Sequence, residues 1–128
     1  MLNVPWFNID SAYLQAHRDH VFVYGAAWKA RDGGPAKLRS DPNTHPFITK
    51  REACNDETAF FELEDFQHYF EKEMTTLIDA IEAYPNKTFI ISKVGAGLAN
   101  RHCIFEKIIQ PQLPKLLEKY PNVWLLVW

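Results

Sequence analysis

The chain has 128 residues, 47% of them hydrophobic and 23% charged, and a net charge of −2. That is the size and composition of a single globular domain, 1–128, with a core of its own. The near-neutral charge argues against a general nucleic-acid binder, and no apolar run approaches the roughly 20 residues of a membrane helix.

Met1 to Asp10 carries neither a basic start nor a long apolar core, so no signal peptide is read. The only cysteines, Cys54 and Cys103, form no CxxC. The cytoplasm is the expected compartment. Residues 1–19 give weak signals. Pro5, Trp6 and Phe7 suit an edge, and Asp10 or Ser11 can cap a short helix over Ala12 to His17. His17 and His20 lie near its end. Two histidines without a third ligand do not define a metal site, so no metal is expected, and no cofactor either.

Val21 to Tyr24 is an apolar run that predicts a strand buried on both faces, as in a parallel sheet. Gly25 to Pro35 then reads as a loop, with Pro35 opening a short helix over Ala36 to Ser40. Asp41 to Pro46 has turn composition, Phe47 to Thr49 predicts a short strand, and residues 52–61 a loop. From Glu62 to Tyr84, apolar residues recur at three- and four-residue steps, which predicts an amphipathic helix. Thr88 to Ile91 predicts a second buried strand. Cys103 to Gln110 resumes a helical pattern, which Pro111 and Pro114 are expected to kink or divide. Val123 to Trp128 predicts a final strand. The alternation implies an α/β fold with a mainly parallel sheet.

All five glycines fall in two stretches, each following a predicted strand. Gly25, Gly33 and Gly34 follow the first, and Gly95 and Gly97 follow the strand at Thr88 to Ile91. Neither stretch is a GxGxxG or a P-loop. Glycine lets a backbone approach a ligand closely, and N–H groups at a helix start favour an anion. Lys29, Arg31, Lys37, Arg39, Lys50, Arg51, Lys93 and Arg101 cluster around these stretches. No acid lies between Ala83 and Phe105. The pattern fits a phosphate held by backbone N–H groups and cations. Candidate ligand-binding residues are Gly25, Ala26, Trp28, Lys29, Arg31, Gly33, Gly34, Lys50, Lys93, Gly95, Ala96, Gly97, Leu98 and Arg101. Trp28 suits either base stacking or anchoring the loop. Asp32 suits a ribose contact, a general base or a turn-holding role. His102 is a candidate general acid or base, with Asp32 across the site as its partner. Cys103 reads either as a nucleophile at a helix start or as a small residue buried under the second glycine stretch.

The order VFVYG, GGPAK, HPFITK, helix, FIISKVGAGLA resembles a family of small phage and bacterial proteins. Their pattern runs approximately VFVFGSN, GAGAA, AIPTK, helix, GCGLAG. The likeness covers residues 21–103. That family is similar to macro domains, which bind ADP-ribose and related nucleotides. The resemblance implies a three-layer α/β domain with its site between Gly25–Pro35 and Lys93–Arg101. It also implies a small nucleotide-type ligand and, for a phage protein, sequestration or destruction of a host nucleotide signal as an anti-defence function. Gly25-Ala26-Ala27 replaces GSN, so an asparagine that would reach a ribose is missing. Two other readings remain open. One is a hydrolase or transferase using His102 and Asp32. The other is a homo-oligomer or protein-interaction module built on Trp6, Trp28, Trp124 and Trp128.

Overall fold

The computed structural model describes residues 1–29, 41–52 and 56–128, with Trp28 and Lys29 described as backbone only. In chain order it contains β1 (Leu2–Val4), α1 (Ser11–Ala16), β2 (His20–Lys29), β3 (Thr44–Glu52), a 3-10 turn (Glu57–Ala59), α2 (Leu63–Ala83), β4 (Thr88–Ile91), a π-helical turn (Phe105–Ile109), α3 (Gln110–Leu117) and β5 (Val123–Leu126).

The five strands form one parallel sheet in the order β1-β5-β4-β2-β3. Alternation along β2 sends its side chains to two faces. Val21 and Val23, with Phe47, Phe89, Ile91, Val123 and Leu125, meet the apolar stripe of α2 and the helical run through α3. Phe22, Tyr24 and Ala26 meet Leu14 of α1 on the opposite face. The architecture is therefore a single α/β domain with a parallel sheet, as the strand and helix pattern implies, and it has three layers. Among the described residues, no helix is long and apolar enough to cross a membrane.

Helix α2 buries Phe66, Phe70, Met74, Leu77 and Ile81, residues that recur every three or four positions. Glu64 and Asp65 in its first turn oppose the positive end of its dipole. It stops at Tyr84, before Pro85.

Several boundaries differ from the sequence expectation. Strand β2 runs on through Gly25 to Lys29, so these residues are strand, not loop. Pairing with β3 as far as Lys29↔Glu52 overrides the turn tendency of Gly25. Strand β3 begins at Thr44, within the expected turn. It tolerates Pro46 because it is the edge strand, where a missing N–H breaks no ladder. Strand β1 has only three residues and was not expected from the sequence. Pro111 and Pro114 do not divide the last helical run. The π-helical turn precedes α3, Pro111 falls in its first turn, and Pro114 lies within it. The wider hydrogen-bond step of the π turn accommodates Pro111, which lies just beyond it, whereas Pro114 sits inside α3. The expected helix over Ala36 to Ser40 and Cys54 lie outside the described residues.

Candidate anion site at the carboxyl end of the sheet

Strands β2 and β4 are neighbours, but the chain leaves them in opposite directions. From β2 it passes to β3 at one edge, and from β4 to β5 on the other side. Strand order thus reverses between β2 and β4, and open α/β sheets bind ligands in the crevice beyond the carboxyl ends at such a reversal. The segment following β4, Ser92 to Asn100, lies at this position. Ser92 anchors it, with N–H and Oγ both donating to the carbonyl of Val23, at 3.1 and 2.8 Å.

The two glycine stretches meet here. A Cβ on Gly25 would lie 3.5 Å from Thr49 Oγ1 and 3.6 Å from the nitrogen of Gly95. Gly95 has φ +81°, and a Cβ on it would lie 2.6 Å from Ile109 Cδ1. Core packing thus requires glycine at position 95 for two reasons, sterics and backbone conformation. Gly97 is different. It has no atom within 4 Å of an added Cβ, so packing does not demand it.

Ala96 N–H bonds Lys93 O, and Asn100 N–H bonds Gly97 O. The N–H groups of Gly95, Gly97, Leu98 and Ala99 meet no backbone carbonyl among the described residues. Gly95 is itself buried, where an unpaired donor is costly. Asn100 closes the segment. Its Oδ1 accepts from Phe105 N–H at 3.0 Å, and its Nδ2 donates to both carboxylate oxygens of Glu106 at 2.9 Å. The Asn100 hydrogen bond is the main reason the Glu106 carboxyl titrates below its ordinary value.

The cations do not all face the crevice. Lys93 Nζ lies 5.2 Å from the centre of the Phe105 ring, beside the glycine segment. Lys50 and Arg101 both sit on Phe60, at 4.6 and 5.3 Å. Arg51 lies over Phe61 and pairs with Asp65 at 3.3 Å. Arg101 Nε is 3.0 Å from Glu57, and His102 Nε2 is 3.4 Å from the other oxygen of the same carboxylate. The acid-free stretch from Ala83 to Phe105 therefore receives an acid from elsewhere in the chain. Both Glu57 and Phe60 lie in the segment that reads as a featureless loop, and the Phe60-Phe61 doublet was the available signal that it packs.

Beyond His102 a shallow cleft of about 350 Å³ is lined by Glu62, Leu63, Glu64, His102 and Cys103. Its two carboxylates oppose an anionic ligand there. Cys103 is exposed with φ 59°, so it does not pack beneath the glycine segment. Ala26 is buried against the α1 layer and does not face the crevice. Arg31, Asp32, Gly33 and Gly34 lie outside the described residues, as do the side chains of Trp28 and Lys29. Ala96 and Leu98 belong to the segment itself, and Leu98 is 83% exposed.

Trp128 is tied to the carboxyl end of β4. Val127 turns the backbone at φ 59°, and Trp128 Nε1 donates to Ile91 O at 2.8 Å while its ring packs 5.3 Å from Phe105. Trp6, by contrast, is 70% exposed.

Residues 7–103 match a family of unknown function (DUF7831), and the chain belongs to that family. No curated protein and no solved structure matches the chain.

Proposed function

Starting from membership in a family whose function is unknown, we propose that this domain binds a small phosphorylated nucleotide, ADP-ribose-like or cyclic, at the crevice between β2 and β4. One observation carries the reading: Gly95 to Ala99 holds four N–H groups without backbone partners among the described residues, at the point where strand order reverses. Oriented N–H groups in such a turn bind phosphate oxygens. Lys93 supplies positive charge beside them, and open space at Gly97 admits a ligand to the backbone. Lys50 and Arg101 act at the rim, since Arg101 is already paired with Glu57.

Thermal unfolding against ADP-ribose, cyclic dinucleotides, NAD, mononucleotides and unphosphorylated nucleosides tests this. A ligand at 100 times its Kd stabilises by about 2.7 kcal/mol, several degrees for a domain of this size. The expected outcome is a shift with a phosphorylated member, lost in Gly97→Val, whose ligand-free Tm stays unchanged. A shift that survives Gly97→Val places the ligand elsewhere, and no shift with any member contradicts the proposal.

The His102–Glu57 pair favours a second reading, turnover of the bound nucleotide. A carboxylate that orients an imidazole is a general-base arrangement. Here the carboxylate is Glu57; Asp32 lies outside the described residues. Ligand consumption that stops in His102→Ala, with binding retained, would establish it.

A further inference from the structure

The opposite end of the sheet, at the amino ends of the strands, carries a second constellation that owes nothing to the glycine segment. His17, Asp19 and His20 place one ligand atom each within 4.8 Å of one another. The three lie within one stretch, His17-Arg18-Asp19-His20, between α1 and the first residue of β2, and its turn gathers their ligand atoms. We propose that these three side chains bind a divalent transition-metal ion, with zinc the fitting species and water completing its coordination. Two imidazoles and one carboxylate are a donor set that zinc accepts, at bonds of about 2.0–2.2 Å.

Three features show a built site rather than a chance grouping. First, the backbone carrying the ligands is fixed from beneath. Asn43 is buried, and its Nδ2 donates to the carbonyls of Leu14, His17 and His20 at 2.9, 3.1 and 2.9 Å. Its Oδ1 accepts from Arg18 at 2.8 Å, which draws that cation onto Asn43. Second, the His20 ring is oriented. Its Nδ1 lies 2.7 Å from the Tyr13 hydroxyl, which leaves Nε2 as the free ligand atom. A hydrogen bond at the far ring nitrogen is the usual outer support of a metal-bound histidine. Third, the His17 and His20 rings lie nearly parallel, 17° apart with centroids at 5.0 Å, and Trp124 closes the side of His20 at 5.3 Å. Closure onto an ion needs movements of about an ångström, well within the freedom of these side chains.

The test is zinc titration of the full chain, stripped with a chelator, followed by calorimetry and by Tm. The expected result is one zinc per chain, with a rise in Tm on binding. His17→Ala and Asp19→Asn should each weaken binding about tenfold or more while keeping the wild-type circular dichroism spectrum. Tyr13→Phe should weaken it by about 10- to 100-fold through loss of orientation. His68→Ala, a change on the exposed face of α2, should bind as wild type. Absence of zinc binding overturns the proposal, as does binding that survives both His17→Ala and Asp19→Asn or is lost in His68→Ala.

Discussion

At the scale of single residues, the same side-chain type does opposite work in neighbouring positions. Gly95 is fixed by Ile109 and by its left-handed backbone. Gly95→Ala should therefore cost about 1–3 kcal/mol from overpacking, with a further cost for the strained φ, read as a lower urea midpoint. Gly97→Val should leave that midpoint unchanged. Asn43 is a small residue with large leverage. Replacing it with Ala removes the side-chain donor from the carbonyls of Leu14, His17 and His20, of which His17 O keeps the His20 N–H, and should cost about 1–3 kcal/mol by the same measurement. Glu73 presents the reverse case. Its carboxylate accepts the N–H of Ile48 and is half-buried, and burial raises its pKa above the ordinary value while the Ile48 bond opposes the rise. A carboxyl with a raised folded pKa favours the folded state most at acid pH. That contribution is lost as pH rises from the unfolded pKa through the folded one. Glu73→Gln keeps the acceptor without the charge. Its stability relative to wild type should increase with pH across that window and level off above it. A difference that falls with rising pH would contradict the assignment.

At the scale of elements, α2 was legible because its burial follows a single helical period over 21 residues. Leu77 stands fully buried in that stripe. Leu77→Ala should cost about 2–5 kcal/mol, whereas Lys72→Ala on the exposed side should change stability by less than about 0.5 kcal/mol. The apolar cores of β2, β4 and β5 were legible for a similar reason, since strands buried on both faces read as unbroken apolar runs. Their ends were not. Gly25 to Lys29 are strand only because β3 lies alongside, and Thr44 to Pro46 are strand only because β2 does. Such pairing joins residues about twenty positions apart, and local composition carries no trace of it. The same applies to β1, which exists by pairing Leu2, Asn3 and Val4 with β5 at the far end of the chain. The π turn before Pro111 was likewise invisible, because proline signals a missing N–H but not the local remedy.

At the scale of the whole molecule, the sheet separates two chemistries. Its carboxyl end presents backbone donors and Lys93, and its amino end presents His17, Asp19 and His20. The glycine clustering pointed to the first end, and the structure qualifies why: Gly95 serves close packing, Gly25 leaves room for an ordinary Cβ contact, and among the described glycines Gly97 has open space beside its backbone. What the sequence could not display was the arrival of Glu57 against Arg101 and His102, since a contact between residues 57 and 101 follows from the fold alone. That arrival moves the cationic character of the crevice toward Lys93. The most direct test is a proton–nitrogen correlation spectrum of the labelled protein, titrated with ADP-ribose and then with the other phosphorylated nucleotides. Five glycines make the glycine region simple to assign. The account predicts that one nucleotide shifts the amides of Gly95, Gly97, Leu98 and Ala99 most strongly, with little change at His17 to His20. Shifts confined to other residues, or no shifts with any nucleotide, would contradict it.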